Sequence, residues 1–314
     1  MRALVTGGAG FIGSNVVRCL VEAGHRVVVL DNLASGYRCN LDPFPDIEFV
    51  EGDVRDPDAV ARAMAGVEVV FHLAASVGNT RSIEHPIEDS EINVIGTLRV
   101  LEAARTASVR KVVFSSSAGI FGELKTLPIR EDHPVEPDSP YGCSKLAAEK
   151  LCLAYAKLYP PLECICLRYF NVYGVNQRYD AYGNAIPIFA HRMLHQQPVI
   201  IFGDGEQTRD LVNVRDVAMA NYRAALSTGV SGAFNIASGS RITINRLVEL
   251  MCAVSGIQAT IQHGPPRKGD VRHSLADISA AQAAFGYRPS VALEPGLAEY
   301  MAWTKKEMIS RCEF

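Results

Sequence analysis

The stretch that decides the fold is Gly7-Gly8-Ala9-Gly10-Phe11-Ile12-Gly13, close to the start of the chain. An apolar run at residues 3–5 precedes it and is typical of a buried strand, whereas residues 11–21 carry apolar side chains at helical spacing. Glycines at the join allow a backbone with positive φ and a close approach of a ligand. The free N–H groups of the helix start then face outward and can bind a pyrophosphate. The stretch therefore predicts a strand, turn and helix that hold a dinucleotide.

The next predicted strand, residues 25–30, strengthens this prediction because it ends in Asp31. The spacing from Gly13 is close to that at which a carboxylate meets the ribose hydroxyls of adenosine. A carboxylate there repels a 2′-phosphate, so the sequence favours NAD over NADP. The alternative is that Asp31 only forms a turn, and the order of loop, helix, strand and acid favours the cofactor site.

The length, composition and charge of the chain narrow its possible functions. With 314 residues, 48% of them hydrophobic, it can form two domains, or one domain with an added lobe, around a sizeable core. A net charge of −3 is not typical of nucleic-acid or membrane binding, and no apolar run reaches the roughly 18 residues of a spanning helix. The chain enters a strand at once, which leaves no room for a secretory signal. Eight scattered cysteines without a Cys-x-x-Cys pair predict reduced thiols, a cytoplasmic protein and no metal site.

Strand-like and helix-like stretches alternate in the first half of the chain, and the longest predicted helices cover residues 86–107 and 141–159. This alternation predicts an α/β fold with a Rossmann-type doubly wound parallel sheet, whose ligands lie beyond the carboxyl ends of the strands. Later, prolines, glycines and polar residues interrupt the pattern. We therefore predict an NAD-binding domain over residues 1–172, with a strand at 232–237 added to its sheet. Residues 173–314 are predicted to form a smaller, interleaved α/β substrate lobe.

Tyr141-Gly142-Cys143-Ser144-Lys145 places a tyrosine and a lysine four residues apart, on one face of a predicted helix. The ordinary pKa of tyrosine is about 10, and a nearby ammonium favours the phenolate, so Lys145 is expected to lower the pKa of Tyr141. Tyr141 then becomes a general base near neutral pH, and Lys145 can also bond a cofactor ribose. Residues 115–117 place three serines at the end of a predicted strand, where Ser117 can bond the same substrate oxygen. A chance pair on a helix and a solvated strand end are the alternatives.

Six segments then follow one another in a fixed order. They are Thr6-Gly7-Gly8-Ala9-Gly10-Phe11-Ile12-Gly13, Asp31-Asn32, His72-Leu73-Ala74-Ala75, Ser115-Ser116-Ser117, Tyr141-x-x-x-Lys145 and Leu167-Arg168-Tyr169-Phe170-Asn171-Val172-Tyr173-Gly174. Together they resemble the extended short-chain dehydrogenase/reductase family, and within it the nucleotide-sugar 4-epimerases. The resemblance extends from residue 1 to about residue 300, and it is less specific to one sugar than to the family.

The resemblance implies a role for each matching position. The implied NAD ligands are Gly7, Gly10, Phe11, Ile12, Gly13, Asp31, Asn32, Asp53, Val54, Leu73, Ala74, Ala75, Asn93, Ser115, Tyr141, Lys145 and Phe170. The implied substrate ligands are Ser117, Asn171, Ala185, Ile186, Ile200, Phe202, Arg209, Arg267, Asp270, Arg272 and Ser274. Among the latter, the arginines are expected to bind the diphosphate, for which guanidinium is a suitable partner, and Asp270 the uridine ribose. Three solvated surface arginines are the alternative.

The resemblance also implies a mechanism and an assembly. Tyr141 takes the proton from O4 of a UDP-sugar, with Ser117 as its partner, while a hydride passes from C4 to tightly bound NAD⁺. The 4-keto sugar turns about its pyrophosphate, the hydride returns to the other face, and NAD is reused. In the family, two long helices, here 86–107 and 141–159, commonly form a four-helix homodimer interface.

Three features of the sequence bear on the choice within the family. A 4,6-dehydratase usually carries Asp-Glu after the catalytic serine or threonine, whereas this chain has Ala118-Gly119-Ile120, which favours 4-epimerisation. Phe121 replaces the usual tyrosine and removes a hydroxyl near the expected site. Ser274 aligns with a gate position that is bulky in hexose-only epimerases, so we expect UDP-N-acetylglucosamine and UDP-N-acetylgalactosamine as substrates, with UDP-glucose and UDP-galactose also possible. A dehydratase, a 4-reductase and an NAD-binding sensor are the alternatives.

Overall fold

The computed structural model describes residues 1–180, 184–266 and 271–310. The strands of this part are β1 (Arg2–Thr6), β2 (Arg26–Asp31), β3 (Glu48–Glu51), β4 (Val69–His72), β5 (Lys111–Ser117), β6 (Glu163–Tyr169), β7 (Asn171–Tyr173), β8 (Val199–Phe202), β9 (Thr208–Arg209), β10 (Leu211–Asn213), β11 (Gly232–Ile236), β12 (Ile242–Thr243) and β13 (Ile261–Gly264). The α-helices are α1 (Phe11–Glu22), α2 (Pro57–Met64), α3 (Asn79–Glu84), α4 (Pro86–Ser90), α5 (Thr97–Thr106), α6 (Pro140–Leu158), α7 (Ala185–Leu194), α8 (Val214–Leu226), α9 (Ile244–Ser255), α10 (Ser279–Phe285) and α11 (Leu293–Ser310).

Seven of the strands form one sheet in the order β11-β6-β5-β4-β1-β2-β3, and every pair in it is parallel. Apolar side chains on one face of the sheet pack against α1 and α8, and those on the other face pack against α2, α5 and α6. Because both faces are covered, the inner strands are almost continuously apolar, as in the Val-Val-Val-Leu run of β2. The predicted Rossmann-type doubly wound fold is confirmed, and β11 lies at one edge of the sheet.

The predicted helix over residues 86–107 is wrong in one respect, because a π-helical segment, Glu91–Gly96, separates α4 from α5. A π-helical turn changes the direction in which side chains leave the helix and is often found at functional sites. Here it contains Asn93, whose amide bonds the loop after β4 and not solvent. The helical spacing of apolar residues does not reveal this insertion, because the apolar face continues on both sides of it.

A third apolar cluster forms away from the large sheet, between α7, α9 and α11. Three two-stranded sheets accompany it: β7 with β10, β9 with β12, and β8 with β13. These elements stand beside the carboxyl ends of β5 and β6, where parallel sheets hold their ligands. Within the described residues, none of the helices is long and apolar enough to cross a membrane.

Candidate functional site

Two glycines of the turn between β1 and α1 lie where the Cβ of any other residue would not fit. Gly7 has φ of +69°, and a Cβ there would lie 2.7 Å from the backbone nitrogen of Ala74. A Cβ on Gly13 would lie 2.0 Å from the Gly7 carbonyl oxygen. Gly10 precedes α1, and among the described residues no side chain caps this helix start. The first N–H groups of α1 therefore point outward over a closely packed turn, which is the arrangement that binds a phosphate.

Asp31 ends β2 next to this turn and is buried. Its carboxylate accepts hydrogen bonds from the backbone N–H of Ala9 at 2.9 Å and of Leu33 at 2.8 Å. Burial raises the pKa of Asp31, and these two hydrogen bonds partly offset that effect. Asp31 thus holds the glycine-rich turn in place, a role that the sequence reasoning did not include.

Asp53 follows β3 and is held by Arg55, which donates to both of its carboxylate oxygens at 2.8 and 2.9 Å. Asn32 also donates to Asp53, at 2.9 Å. The Arg55 hydrogen bonds lower the pKa of Asp53 to about 2. Val54 is buried, and Gly96 of the π-helical segment packs against it with space for no Cβ. Asn32, Asp53 and Arg55 form one hydrogen-bonded polar group after β2 and β3.

A chain of hydrogen bonds crosses the sheet at the end of β4 and fixes the tautomer of His72. Thr97 Oγ1 donates to the carbonyl of Asn93 at 2.6 Å, so it accepts from His72 Nε2 at 3.0 Å. Nδ1 of His72 then accepts from Thr6 Oγ1 at 2.7 Å, and Thr6 accepts from the N–H of Ala74. Burial lowers the pKa of His72 to about 3, so the ring is neutral. The end of β1, which leads into the glycine-rich turn, and the π-helical segment are thereby joined through the side chains of His72 and Thr97.

Tyr141 and Ser117 come together around Gly119. A Cβ on Gly119 would lie 3.3 Å from Ser117 Oγ and 3.6 Å from the Tyr141 ring. Ser117 Oγ accepts the N–H of Gly119 at 3.1 Å, which leaves its proton for the Tyr141 oxygen. Burial raises the pKa of Tyr141, and the Ser117 hydrogen bond partly offsets this. The lowering of this pKa that we expected from Lys145 is therefore wrong for this structure, because burial is the largest influence and the charge of Asp89 raises the pKa further.

Lys145 lies one turn further along α6 and is 2% exposed. Its ammonium lies 4.4 Å from the centre of the Phe114 ring, and no described residue offers it a hydrogen-bond acceptor. Burial lowers its pKa to about 8. A buried ammonium on an aromatic face fits a ribose hydroxyl as its missing partner, and the space at Gly7 and Gly13 fits a pyrophosphate. The residues present therefore fit NAD.

A buried ion pair supports the strand that carries the serines. Arg168 donates to Glu149 through Nε at 3.0 Å and Nη2 at 2.7 Å, and Ser116 donates to the same carboxylate at 2.7 Å. Glu149 is fully buried on α6, so this pair fixes α6 against β5 and β6. Phe121 is also fully buried, and its ring centre lies 5.2 Å from the Arg168 guanidinium. Ser115 is buried at the same strand end.

Asn171 and Phe170 follow β6. Asn171 donates to the backbone carbonyl of Asp210 at 3.2 Å, and Phe170 packs 6.3 Å from Phe121, centre to centre. The carboxylate of Asp210 accepts from Ser238 at 2.7 and 2.8 Å, and burial raises its pKa. Sequence reasoning missed Asp210, although its position directly after Arg209 was a signal.

The two described arginines that we expected at a diphosphate, Arg209 and Arg272, differ in their hydrogen-bond partners. Arg209 lies in β9 and donates to the Thr208 carbonyl at 2.9 Å. Arg272 makes a bidentate ion pair with Asp204 at 2.6 and 2.8 Å, on the protein surface. This pair lowers the pKa of Asp204. Arg267 and Asp270, the other two expected ligands in this region, lie outside the described residues.

The remaining expected substrate ligands lie on α7, on β8 and next to β9. Ala185 begins α7, and the neighbouring Ile186 is buried in the third apolar cluster. Ile200 and Phe202 belong to β8 and are partly exposed. Ser274 is buried and donates its N–H to the Thr208 carbonyl at 3.1 Å, which places it next to Arg209.

Residues 3–237 match the family described as "NAD dependent epimerase/dehydratase family". The chain is 42% identical over 306 residues to a UDP-glucose 4-epimerase of Mycolicibacterium smegmatis, covering 95% of this chain and 97% of that protein. It resembles the structure of a UDP-glucose 4-epimerase from Thermotoga maritima with UDP-glucose, with a TM-score of 0.93, 40% identity and coverage of 98% and 100%. A UDP-N-acetylglucosamine 4-epimerase from Methanobrevibacter ruminantium, in complex with UDP-N-acetylmuramic acid, gives a TM-score of 0.93 at 34% identity, covering 98% and 99%.

Proposed function

Since the chain belongs to the NAD-dependent epimerase/dehydratase family, we propose that it is a UDP-sugar 4-epimerase. Its proposed substrates are UDP-N-acetylglucosamine and UDP-N-acetylgalactosamine, with UDP-glucose and UDP-galactose also accepted. The observation that carries the proposal is the placement of Tyr141 and Ser117 around Gly119, one helical turn from the buried Lys145. One proton-accepting phenol with a hydroxyl partner is what removal of the proton from a sugar hydroxyl requires.

When bound, NAD supplies the acceptor and donor of the hydride that leaves and returns to C4 of the sugar. The proposed cofactor cleft runs from the glycine-rich turn past Asp31 and Asp53 to Lys145. In it, the N–H groups at the start of α1 bind the pyrophosphate, and Asp31 accepts from the adenosine ribose. Lys145 donates to the nicotinamide ribose. The side-chain amide of Asn93 is already bonded to the backbone of Ser76, so Asn93 positions the loop after β4 and does not bind NAD through that amide.

Tyr141 accepts the proton from O4 of the sugar, while Ser117 donates a hydrogen bond to the same oxygen. For Tyr141 to act near neutral pH, its raised pKa must fall when the cleft is filled, and the positive charges of Lys145 and the nicotinamide ring favour that. The residues after Ser117 are Ala118, Gly119 and Ile120, which carry no acid or base. This chain therefore lacks, at that point, the groups with which a dehydratase eliminates water.

Ser274 favours a substrate that carries an acetamido group. It is a small side chain next to Arg209, one of the proposed diphosphate ligands, so little volume is occupied on that side of the sugar. The solved relative named as a UDP-N-acetylglucosamine 4-epimerase supports the same preference, and the relatives named as UDP-glucose 4-epimerases support acceptance of the plain hexoses.

The same helices that carry the site suggest an assembly, and we propose a homodimer formed through α4, α5 and α6. Large apolar side chains stand in solvent on these elements: Ile87 is 75% exposed, and Leu158 is 66% exposed. In the proposed dimer, a second copy of the chain covers apolar side chains of this kind. Light scattering after size exclusion tests the assembly, and a monomer at micromolar concentration contradicts it.

The experiment that tests the function is an incubation of the purified protein without added NAD. UDP-N-acetylglucosamine, UDP-glucose and UDP-glucuronate are supplied separately, and the products are identified by NMR. Epimers at C4 from the first two substrates support the proposal. A 4-keto-6-deoxy product indicates a dehydratase, and the absence of turnover from a protein that contains NAD indicates a sensor; either result overturns the proposal.

A further inference from the structure

Asp89, on α4, is a buried carboxylate that the proposed reaction does not use. It is 1% exposed. One of its oxygens accepts from Ser144 Oγ at 2.5 Å, and the other accepts from Asn93 Nδ2 at 3.2 Å. Both of these donors are neutral. Asn93 in turn bonds the backbone of Ser76 in both directions, at 2.9 and 3.0 Å. A single carboxylate therefore joins α4, the π-helical segment and the loop after β4 to α6.

The position of Ser144 connects Asp89 to the proposed site. Ser144 stands between Tyr141 and Lys145 on α6, and its hydroxyl also lies 3.0 Å from the carbonyl oxygen of Tyr141. Burial acts most strongly on both side chains, and Cys152 is the largest of the charges that act on Lys145. Next after it, the charge of Asp89 favours the charged form of Lys145, and it disfavours that of Tyr141. A buried carboxylate that bonds only neutral groups has an unfavourable solvation free energy unless a cation lies close by.

We propose that Asp89 is a positioning residue of the site, whose carboxylate fixes Ser144 and Asn93 and serves as the counter-charge of the Lys145 ammonium. This inference rests on the proposed function, because Lys145 and Tyr141 act in that reaction. Asp89 itself touches neither of the groups that react.

Of the two carboxylates whose charges act on Lys145, only Asp89 has no cation among its described hydrogen-bond partners. The Glu149 carboxylate is bound by Arg168, so its charge is already offset. Burial keeps His72 neutral and raises the pKa of the Cys166 thiol, which therefore stays protonated. The groups that face Lys145 are Asp89 of α4, His72 of β4, Glu149 and Cys152 of α6, and Cys166 of β6. The charged groups of α3, which packs against α4, are Arg81 and Glu84, and both are exposed.

The test is the pH dependence of kcat/KM for Asp89→Asn, on whichever UDP-sugar the wild type converts. Asparagine keeps the shape, and its amide oxygen can accept from Asn93 while its NH2 donates to Ser144 Oγ, whose proton then goes to the Tyr141 carbonyl. The variant therefore removes the charge and reverses one hydrogen bond, which the Ser144→Ala control accounts for. Without that charge, Lys145 loses its proton at lower pH, so the basic limb of the profile shifts to lower pH. The phenol of Tyr141 also ionises at lower pH, so the acidic limb shifts to lower pH as well. We expect both limbs to shift in the same direction, by about half a pH unit or more.

Two further variants separate charge from structure. Ser144→Ala removes a hydrogen bond but keeps the carboxylate, so its limbs should stay where those of the wild type are, even if kcat falls. Asp89→Glu restores the charge and should return the limbs toward the wild type. If the limbs of Asp89→Asn do not move, or if Ser144→Ala moves them equally, the proposal is wrong.

A readout that does not need turnover distinguishes failure of this proposal from failure of the proposed function. The ultraviolet absorption of tyrosinate is titrated in the wild type and in Asp89→Asn, each against the same protein with Tyr141→Phe. The difference isolates Tyr141, whose ionisation should move to lower pH in Asp89→Asn. If the wild type converts no UDP-sugar while this shift is present, the proposed function fails and the electrostatic role of Asp89 stands. An unshifted titration overturns that role.

Discussion

Gly13→Ala gives a direct test of the cofactor cleft. A Cβ at Gly13 would lie 2.0 Å from the Gly7 carbonyl oxygen and 2.9 Å from Gly8 Cα. Side-chain Cβ atoms essentially never approach closer than 3.0 Å, so the turn must open by at least 3.0 − 2.0 = 1.0 Å. The neighbour in the way is backbone and has no rotamer into which it can move. The change therefore displaces the part of the turn that faces the pyrophosphate.

A shift of this size misaligns the N–H groups at the start of α1. If two hydrogen bonds to a charged phosphate are lost, at about 1.5 kcal/mol each, NAD binding weakens by about 3 kcal/mol, or roughly a hundredfold. Overpacking of the turn should also lower the free energy of unfolding by about 1–3 kcal/mol. The assay is NAD affinity by calorimetry on protein freed of cofactor, together with the NAD content of the protein as purified.

Gly256→Ala is the matched control, because Gly256 ends α9 with φ of +70° and has no atom within 4 Å of a built Cβ. It should lower stability by about 1 kcal/mol through backbone strain alone and leave NAD affinity unchanged. If Gly13→Ala binds NAD as tightly as the wild type, the cleft does not hold the pyrophosphate in the way proposed.

Three further predictions follow from single side chains. The folded pKa of His72, about 3, lies below its ordinary value of about 6.5, so on acidification the unfolded chain takes up a proton before the folded chain does. The free energy of unfolding should therefore fall by about 2 kcal/mol between pH 6.5 and 5 in denaturant titrations, and His72→Gln should flatten that decline. Glu149→Gln leaves Arg168 buried without its anion and should lower the free energy of unfolding, measured in urea, by about 3–5 kcal/mol. Glu102→Gln, in an exposed ion pair, should change it by less than about 1 kcal/mol, and equal losses in the two variants would contradict the prediction. Ser274→Tyr should reduce kcat/KM for UDP-N-acetylglucosamine by about tenfold or more while UDP-glucose stays a substrate, and a uniform loss on both would count against the gate.

The sequence was a good guide wherever local periodicity and spacing decide structure. The glycine turn, the strand that ends in Asp31 and the helix that carries Tyr141 and Lys145 were each expected and are present. Such elements are predictable because apolar side chains must repeat at the period of a strand or a helix in order to be buried. The parallel sheet then brings the ends of its strands to one edge.

The features that the sequence did not reveal depend on contacts between distant segments. Nothing in the spacing of residues 86–107 marks the π-helical segment, in which Asn93 bonds the backbone of the distant Ser76. The pKa of Tyr141 was expected to fall because Lys145 is near in sequence, whereas burial by the surrounding fold raises it. The pairing of Arg272 with Asp204 likewise joins two loops that no local pattern connects.

The central claim is that the phenol of Tyr141 accepts the proton of the sugar hydroxyl. The most direct measurement compares epimerisation of UDP-N-acetylglucosamine by the wild type, by Tyr141→Phe and by Tyr155→Phe at matched NAD content. Tyr155 is a control on the same helix, whose hydroxyl bonds Glu102 at the surface. We predict that Tyr141→Phe lowers kcat by about a hundredfold or more and that Tyr155→Phe leaves it within about twofold. A Tyr141→Phe protein as fast as the wild type would contradict the account.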